Sequence, residues 1–359
     1  MIDKTLIIVC GTLQQGGAER IISVLSKEFL NYFENVKIVL WRGGPVFYSI
    51  ADNIEIVFIP EQSKRNSLIG QMLWFRKYAK HLKPYAVLSF LAPFNMLSLV
   101  ALLGARIPVY IASRSAPFYD APNKYWRWTR DCIYHFATKI SVQSEENKKY
   151  FSKSLQKKIS VIYNPVFVEP QLIGMALRSP KLPVIVSVGR LSRSKNQELL
   201  LNVFKEIHHN YPDYRCIIYG EGEYRNILEG KIRDLKLEEY VTLPGACKEV
   251  LTKILSAEIF VMTSDYEGMS NALIEAMVLG LPSISTCVSG ANDLIENNMN
   301  GKLIAIGDAT GLKSALEDWL KNKDRANECA LHGIKLASQL QLEEIVKQWL
   351  IFMDVNIEI

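Results

Sequence analysis

The stretch EIFVMTSDYEGMSNALIEAMVLGLP, residues 258–282, decides the fold class. Its opening, Glu258 to Thr263, is an apolar run of β-branched and aromatic side chains, the pattern of a buried strand. From Ala272 the apolar spacing turns helical, with Leu273, Ala276 and Met277 continuing it, and Gly280 and Pro282 stop the helix. Strand, tight loop and helix thus follow one another, which is the repeating unit of a parallel α/β sheet. Glu267 sits in the loop beside Gly268, and Glu275 lies on the helix. Ser270 or Asn271 caps that helix, which aims the backbone N–H groups of Asn271, Ala272 and Leu273 at an anion. Two carboxylates flanking an anion-binding helix start suit a ligand that is both phosphate and polyol, such as a nucleotide-sugar. Taken alone, the same residues also fit a plain surface loop followed by a solvated helix glutamate.

The unit recurs on both sides of this stretch. Thr5–Cys10 reads as a strand, followed by a loop with Gly16 and Gly17 and a helix from Ala18. Further strands are expected at 36–41, 54–59, 86–91, 109–112, 139–142 and 159–162. After Asn164-Pro165 comes a poorly periodic stretch, Val168 to Pro183, with three prolines, which reads as a linker. A second series begins at Val184 and continues at 215–219, 241–243, 258–262, 283–285 and 302–304. The last periodic segment, Leu342 to Met353, carries Ile345, Trp349 and Phe352 at helical spacing. With 359 residues, two domains are expected.

Composition is that of an ordinary folded protein, 49% hydrophobic and 22% charged. The six cysteines are scattered without a CxxC pair, lie mostly in apolar surroundings and read as reduced core thiols. Tyr85 to Ala105 carries no charge and is long enough to span a bilayer. Pro93 and Asn95 interrupt it, so strand, buried helix and strand are the expected reading, with no leader segment and a cytoplasmic protein. Charge is uneven. Residues 1–165 hold 22 Lys and Arg against 11 Asp and Glu, and the remainder holds 20 against 26. Such asymmetry points to an anionic partner of the first half. Basic residues mix with aromatics from Lys64-Arg65 through Trp74, Phe75, Arg76, Lys77 and Lys80, and again at Lys124-Tyr-Trp126-Arg127-Trp128. Both segments fit interfacial helices on an anionic membrane, and equally fit amphipathic helices packed on a sheet. No nucleic-acid module signature is present.

Ligands of open α/β sheets bind beyond the carboxyl ends of the strands. Gly16-Gly17 lie there in the first half. In the second half Arg190 and Lys195 follow a strand, with the geometry to clamp a diphosphate. The loops at Gly220-Glu221-Gly222 and Pro244-Gly245-Ala246-Cys247 offer backbone groups to a nucleobase.

The ordered set Gly16-Gly17-Ala-Glu-Arg20, Ser89-Phe-Leu91, Tyr163-Asn-Pro165, Gly189-Arg-Leu191 with Lys195-Asn196, Gly220-Glu-Gly222, Glu267-Gly268 with Glu275-Ala276, and Gly290-Ala291 through Gly301 resembles the family 4 glycosyltransferases. Similarity is greatest to bacterial enzymes of capsule, O-antigen and lipid-linked oligosaccharide synthesis, and it spans nearly the whole chain. The resemblance implies a GT-B fold: two Rossmann-like, doubly wound parallel-sheet domains facing a cleft. Residues 1–167 would be the acceptor-binding domain and 168–340 the nucleotide-sugar-binding domain. Residues 341–359 would form a helix crossing back to the first domain. It implies a retaining, metal-independent transfer from a nucleotide-sugar, most often a UDP-sugar, to a glycan on polyprenyl diphosphate. No DxD motif sits at a strand end, and no cofactor is implied, since the nucleotide-sugar is a substrate. By the resemblance Arg190 and Lys195 neutralise the diphosphate, Glu267 contacts the donor sugar, and Glu275 takes the ribose diol. Met269, Ser270, Asn271, Ala272 and Leu273 help hold the phosphates, with Gly245 and Gly16-Gly17 close to the donor. The chain departs from the family at Ala112-Ser-Arg114-Ser-Ala-Pro117, where many relatives carry a histidine or an Arg-Asn pair. Arg114 either supplies the family's basic group or is an unrelated loop arginine. Two other classes stay open: another GT-B nucleotide-sugar enzyme such as an epimerase, and a non-catalytic partner of a transferase complex.

Overall fold

The computed structural model describes residues 2–14, 16–62, 67–114 and 123–356. Two compact units emerge: Met1–Pro165 together with Leu342–Ile359, and Val166–Gln341.

The first unit is built on β1 (Ile2–Cys10), β2 (Phe33–Leu40), β3 (Glu55–Phe58), β4 (Ala86–Phe90), β5 (Val109–Ala112), β6 (Lys139–Val142) and β7 (Ile159–Val161), in the order β3-β2-β1-β4-β5-β6-β7. The second contains β8 (Val184–Val188), β9 (Arg215–Tyr219), β10 (Val241–Gly245), β11 (Ile259–Met262), β12 (Ser283–Thr286) and β13 (Lys302–Ile304), in the order β10-β9-β8-β11-β12-β13. All pairings are parallel. Strand order reverses direction beside β1 and beside β8, so each sheet is doubly wound, and ligands of such sheets bind at the carboxyl edge beside that reversal. Helices that pack on the sheets or carry site residues include α1 (Gly17–Phe29), α2 (Leu68–Leu82), α3 (Ala92–Leu102), α4 (Lys124–Tyr134), α5 (Pro170–Arg178), α6 (Gln197–His208), α7 (Arg225–Asp234), α8 (Asn271–Val278) and α9 (Leu342–Phe352).

Central strands bury both faces, as parallel strands between helix layers must. Leu6 to Cys10 and Phe260 to Val261 are fully buried. The uncharged run becomes β4 and α3, and among the described residues no helix is long and apolar enough to cross a membrane. The expected linker is only partly irregular, because it contains α5. Pro170 lies in the first turn, where a missing N–H costs nothing, and Ala176 is buried. Prolines therefore marked a helix start rather than a structureless stretch. The core-thiol reading holds for Cys10, Cys216 and Cys329, which are buried; Cys247 is half-buried, and Cys132 and Cys287 are exposed.

α9 packs within the first unit. Trp349 is fully buried and stacks near Phe90, at 5.9 Å between centroids, while Phe352 meets Tyr110 edge-on at 5.4 Å. The chain just beyond is held by polar bonds. Tyr85 donates its hydroxyl to the Asp354 carbonyl at 2.9 Å, Tyr110 donates to the Met353 carbonyl at 3.1 Å, and Lys139 pairs with the Asp354 carboxylate at 2.6 Å. The Lys139 bond is the main cause that holds the Asp354 carboxyl below its ordinary range.

Candidate active site

The residues singled out at positions 190–275 converge at the carboxyl edge of the second sheet. After β8 the chain turns through Gly189 and Arg190 into a short 3-10 turn, Arg193–Lys195. Asn196 follows in the left-handed region, at φ 47°, and starts α6. Asparagine tolerates that conformation better than most residues. The turn is tied to the loop after β11 by three bonds. The Asp265 N–H donates to the Ser194 carbonyl at 2.8 Å, Thr263 Oγ1 donates to the Lys195 carbonyl at 3.0 Å, and Asn196 Nδ2 donates to Asp265 Oδ1 at 2.9 Å. Together these fix Lys195 opposite Glu267, and the two form an ion pair.

Glu267 is itself anchored. Ser264 Oγ donates to the same carboxylate oxygen at 3.1 Å, and Ser289 Oγ donates to the Glu267 carbonyl at 2.7 Å. Both partners of the pair are only partly exposed, at 23% and 15% of their side chains, so the charges feel less solvent screening than a surface pair. Arg190 is exposed, and Gln197 Nε2 holds its carbonyl at 2.9 Å, which orients the backbone and leaves the side chain toward solvent.

Ser270, not Asn271, is the cap of α8, and its Oγ accepts from the Leu273 N–H at 3.4 Å. That bond takes up one of the three N–H groups expected to face an anion, so Leu273 differs here from Asn271 and Ala272. Glu275 is 5% exposed on α8, which removes the solvated-glutamate reading of the motif. Met269 and Ser270 are buried as well.

The neighbouring loops are shaped by backbone contact. The Gly220 N–H donates to the Gly245 carbonyl and the Gly189 N–H to the Tyr219 carbonyl, both at 2.9 Å. A Cβ on Gly220 would lie 1.8 Å from the Gly189 carbonyl oxygen, so no side chain fits. Gly245 has φ +92°, a conformation other residues rarely adopt. Arg225 on α7 braces this corner, pairing with Glu221 at 2.6 Å and Glu229 at 3.0 Å and reaching the Leu243 carbonyl at 3.3 Å.

Gly16, Gly17 and Arg114 belong to the other unit. Gly16 is the cap residue of α1 and Gly17 its first residue; the Glu19 carboxylate lies over Gly16, where a Cβ would come within 2.1 Å of Oε2. Arg114, just after β5, is 8% exposed. Its Nη1 donates to the Ile162 carbonyl at 2.8 Å, its Nη2 donates to Ser141 Oγ at 3.0 Å, and its guanidinium lies 4.6 Å from the Trp349 ring of α9. Burial lowers its pKa to about 9, which leaves it protonated at neutral pH. Ser115, Ala116 and Pro117 lie outside the described residues. No group of three or more His, Cys, Asp or Glu that would hold a metal occurs among the described residues.

Sequence reading missed Ser264, Ser289, Thr263 and Asn196 as supports of the Lys195–Glu267 pair. Isolated side-chain hydrogen bonds between loops at strand ends leave no periodic signature.

The sequence model of glycosyl transferases group 1 matches residues 175–335. The chain carries this family's pattern over that stretch, just under half of its length. Like its group 1 relatives, it is a glycosyltransferase working with nucleotide-sugars. A Campylobacter jejuni protein is 26% identical over 350 residues, covering 95% of this chain and 96% of its own length. It is the alpha-1,4-N-acetyl-D-galactosaminyltransferase acting on GalNAc-alpha-(1->4)-GalNAc-alpha-(1->3)-diNAcBac-PP-undecaprenol. The Escherichia coli UDP-Gal:alpha-D-GlcNAc-diphosphoundecaprenol alpha-1,3-galactosyltransferase is 25% identical, with 79% of each chain covered. Among solved structures, HepE of Anabaena in complex with UDP and glucose superposes with a TM-score of 0.81 at 17% identity, covering 98% of this group 1 transferase and 99% of HepE. The fold is GT-B.

Proposed function

We propose that this transferase is retaining and metal-independent. It moves a hexosyl or N-acetylhexosaminyl group from a UDP-sugar to a glycan carried on polyprenyl diphosphate, at the inner face of the cell membrane, in bacterial surface polysaccharide or glycoconjugate synthesis. The observation that carries the reading is the Lys195–Glu267 pair at the carboxyl edge of the second sheet, beside a helix start whose helix carries buried Glu275. The donor breaks at the bond between the anomeric carbon and the diphosphate, so negative charge grows on the departing nucleotide while the sugar becomes oxocarbenium-like. Lys195 and Arg190 hold that charge, and the start of α8 from Met269 to Leu273 adds the positive end of a helix dipole. Glu267 accepts hydrogen bonds from the sugar hydroxyls, and Glu275 accepts them from the ribose diol. Gly245 offers backbone to the base. Gly16 and Gly17 allow close approach at the first sheet's edge.

Lys195 meets an internal carboxylate before donor binds, so donor binding exchanges or shares that partner. The transferred sugar then supplies the hydroxyls that keep Glu267 satisfied.

Membrane attachment belongs to the same reading, with two changes from the sequence expectation. Phe75 is fully buried against Trp41, and Arg76 donates to the Ala101 and Leu103 carbonyls at 2.9 and 2.7 Å, satisfying the end of α3. Neither is available to lipid. Lys64 and Arg65 lie outside the described residues. The lipid-facing candidates are instead Ile69 and Leu73, 71% and 59% exposed, with Lys77 and Lys80 on α2, and Trp126 and Trp128 on α4.

A thermal-shift screen of nucleotide-sugars, followed by a transfer assay on polyprenyl-diphosphate-linked glycans, tests the proposal. A UDP-sugar at 100 times its Kd stabilises the protein by about 2.7 kcal/mol. Absence of any shift, and no donor consumption with or without acceptor, would reject it.

A further inference from the structure

A cavity of about 190 Å³ opens at the amino edge of the second sheet, the opposite end of the strands from Lys195 and Glu267. Glu258 and Ile259 enter it at the start of β11, and Pro282 lies just before β12. Trp319, from the helix Ala309–Lys321, and Lys323, Ala326 and Asn327, from the helix Lys323–Gly333, supply more of the wall. Lys181 completes the lining. The next residue fixes its place, because the Leu182 N–H donates to the Ser256 carbonyl at 2.8 Å.

Charge, surface and size each narrow the occupant. Lys181 Nζ donates to the Leu255 carbonyl at 2.8 Å and has no ion pair among the described residues. An ammonium has three donors, so two remain. Burial holds the Lys181 ammonium below its ordinary pKa range, with no carboxylate to offset it. Glu258 does not fill that role, because Tyr214 donates to its Oε1 at 2.7 Å and Lys323 to its Oε2 at 3.1 Å. The cavity therefore holds one ammonium in excess, and a partly buried charge without a counter-ion favours an anion beside it. The rest of the wall is largely apolar. Ile259, Pro282, Trp319 and Ala326 are buried and offer little to a fully hydrated inorganic anion. The space matches the bulk of about six waters, which suits a small organic molecule and is too little for a nucleotide.

We infer that this cavity binds a short-chain monocarboxylate. The carboxylate accepts a charge-assisted hydrogen bond from Lys181 Nζ, and the hydrocarbon lies against Ile259, Pro282 and Ala326. Lys323 stays with Glu258. The site stands apart from the donor residues and does not depend on which sugar or acceptor the enzyme uses.

Saturation-transfer difference NMR with butyrate on the full chain tests it without relying on turnover. Butanol, which lacks the charge, and inorganic phosphate, which lacks the hydrocarbon, serve as competitors. Butyrate is expected to bind saturably, and each competitor to displace it only at concentrations at least tenfold higher. Lys181→Gln is expected to weaken butyrate about tenfold or more, the weight of one hydrogen bond to a charged group. Asn327→Trp places a ring at an exposed position of the lining and is expected to block entry to a similar degree. Urea midpoints near that of the wild type show that both variants are folded. UDP is expected to leave the butyrate signal unchanged. No butyrate signal at millimolar concentration overturns the inference, as does equal affinity in wild type and both variants. Butanol competing as well as butyrate removes the charge from the argument, and phosphate competing as well removes the hydrocarbon; either rejects the monocarboxylate. Displacement by UDP places the butyrate among the donor residues and rejects this cavity.

Discussion

Lys195 and Arg114 occupy matching places, each in a loop just beyond the carboxyl end of a strand, yet their surroundings are opposite. Lys195 is partly exposed, is held by backbone bonds to its neighbours, and faces a carboxylate. Arg114 is buried, and both Nη atoms are engaged by a carbonyl and a hydroxyl while a tryptophan lies against its face. A cation meant for a ligand has to be able to change partners. One that joins a carbonyl, a hydroxyl and a ring in the interior is committed to architecture, and moving it would strand buried polar groups. Sequence position alone does not tell the two apart; burial and partner type do.

The largest expected effect is on turnover. Arg190→Ala and Lys195→Ala each lower kcat about 10²-fold or more, as loss of one charge contact to a transition state does, with little change in the urea midpoint. Steady-state kinetics beside urea melts check this, and near-wild-type kcat in both variants would break the contrast from the ligand side.

Arg114→Ala attacks the other side. Loss of two hydrogen bonds to a charged group and of the ring contact should cost about 2–4 kcal/mol of stability. Turnover per folded molecule should hold. Arg114→Lys recovers less than half, because an ammonium cannot span both acceptors in the plane of a ring. A large kcat loss at unchanged stability would move Arg114 into the chemistry.

On α2 the same contrast is repeated between neighbours. Lys77→Glu with Lys80→Glu should reduce binding to anionic vesicles by about 2 kcal/mol or more, in a salt-dependent way, since each basic residue near such a surface contributes about 1 kcal/mol. Arg76→Gln should instead lower stability and leave partitioning nearly intact, because its guanidinium serves the end of α3. Cosedimentation that ignores lipid charge would make α2 a packing element only.

The smallest effect is that of Glu275→Gln, which should weaken UDP binding about tenfold, the weight of one hydrogen bond to a charged acceptor. Glu267→Gln should lower kcat more than it weakens UDP, because its partner is the sugar rather than the nucleotide. Identical UDP affinity in wild type and Glu275→Gln would remove the ribose role.

Much of the fold was legible because parallel α/β proteins write apolar strands and amphipathic helices in regular alternation. Lys139–Val142, Arg215–Tyr219 and Lys302–Ile304 match their expected bounds to the residue. α5 was not legible, since Pro170 and the surrounding prolines masked a nine-residue helix. Of the site, the loop positions of Lys195 and Glu267 followed from the strand ends on either side, but their direct pairing did not. It depends on how β8 and β11 lie side by side, which no local pattern encodes. Phe75 and Arg76 left both readings open for a related reason: a helix that mixes aromatic and basic residues reads the same whether a face meets lipid or a neighbouring helix.

The placement of α9 bears on the order in which the molecule is made. The first unit is closed by Trp349, Phe352 and the polar bonds to Met353 and Asp354, all encoded after the whole of the second unit. Domains ordinarily fold one after another as the ribosome delivers them, the amino-terminal one first. Here the elements that close the first unit come after the second unit in the sequence. Residues 166–341 form a continuous unit that can settle as soon as it emerges, whereas β4 and β5 must wait with Phe90 and Tyr110 uncovered until the last helix is synthesised. During that interval the nascent chain presents an apolar face, so chaperone dependence and sensitivity to carboxyl-terminal truncation should both concentrate in the unit that was synthesised first.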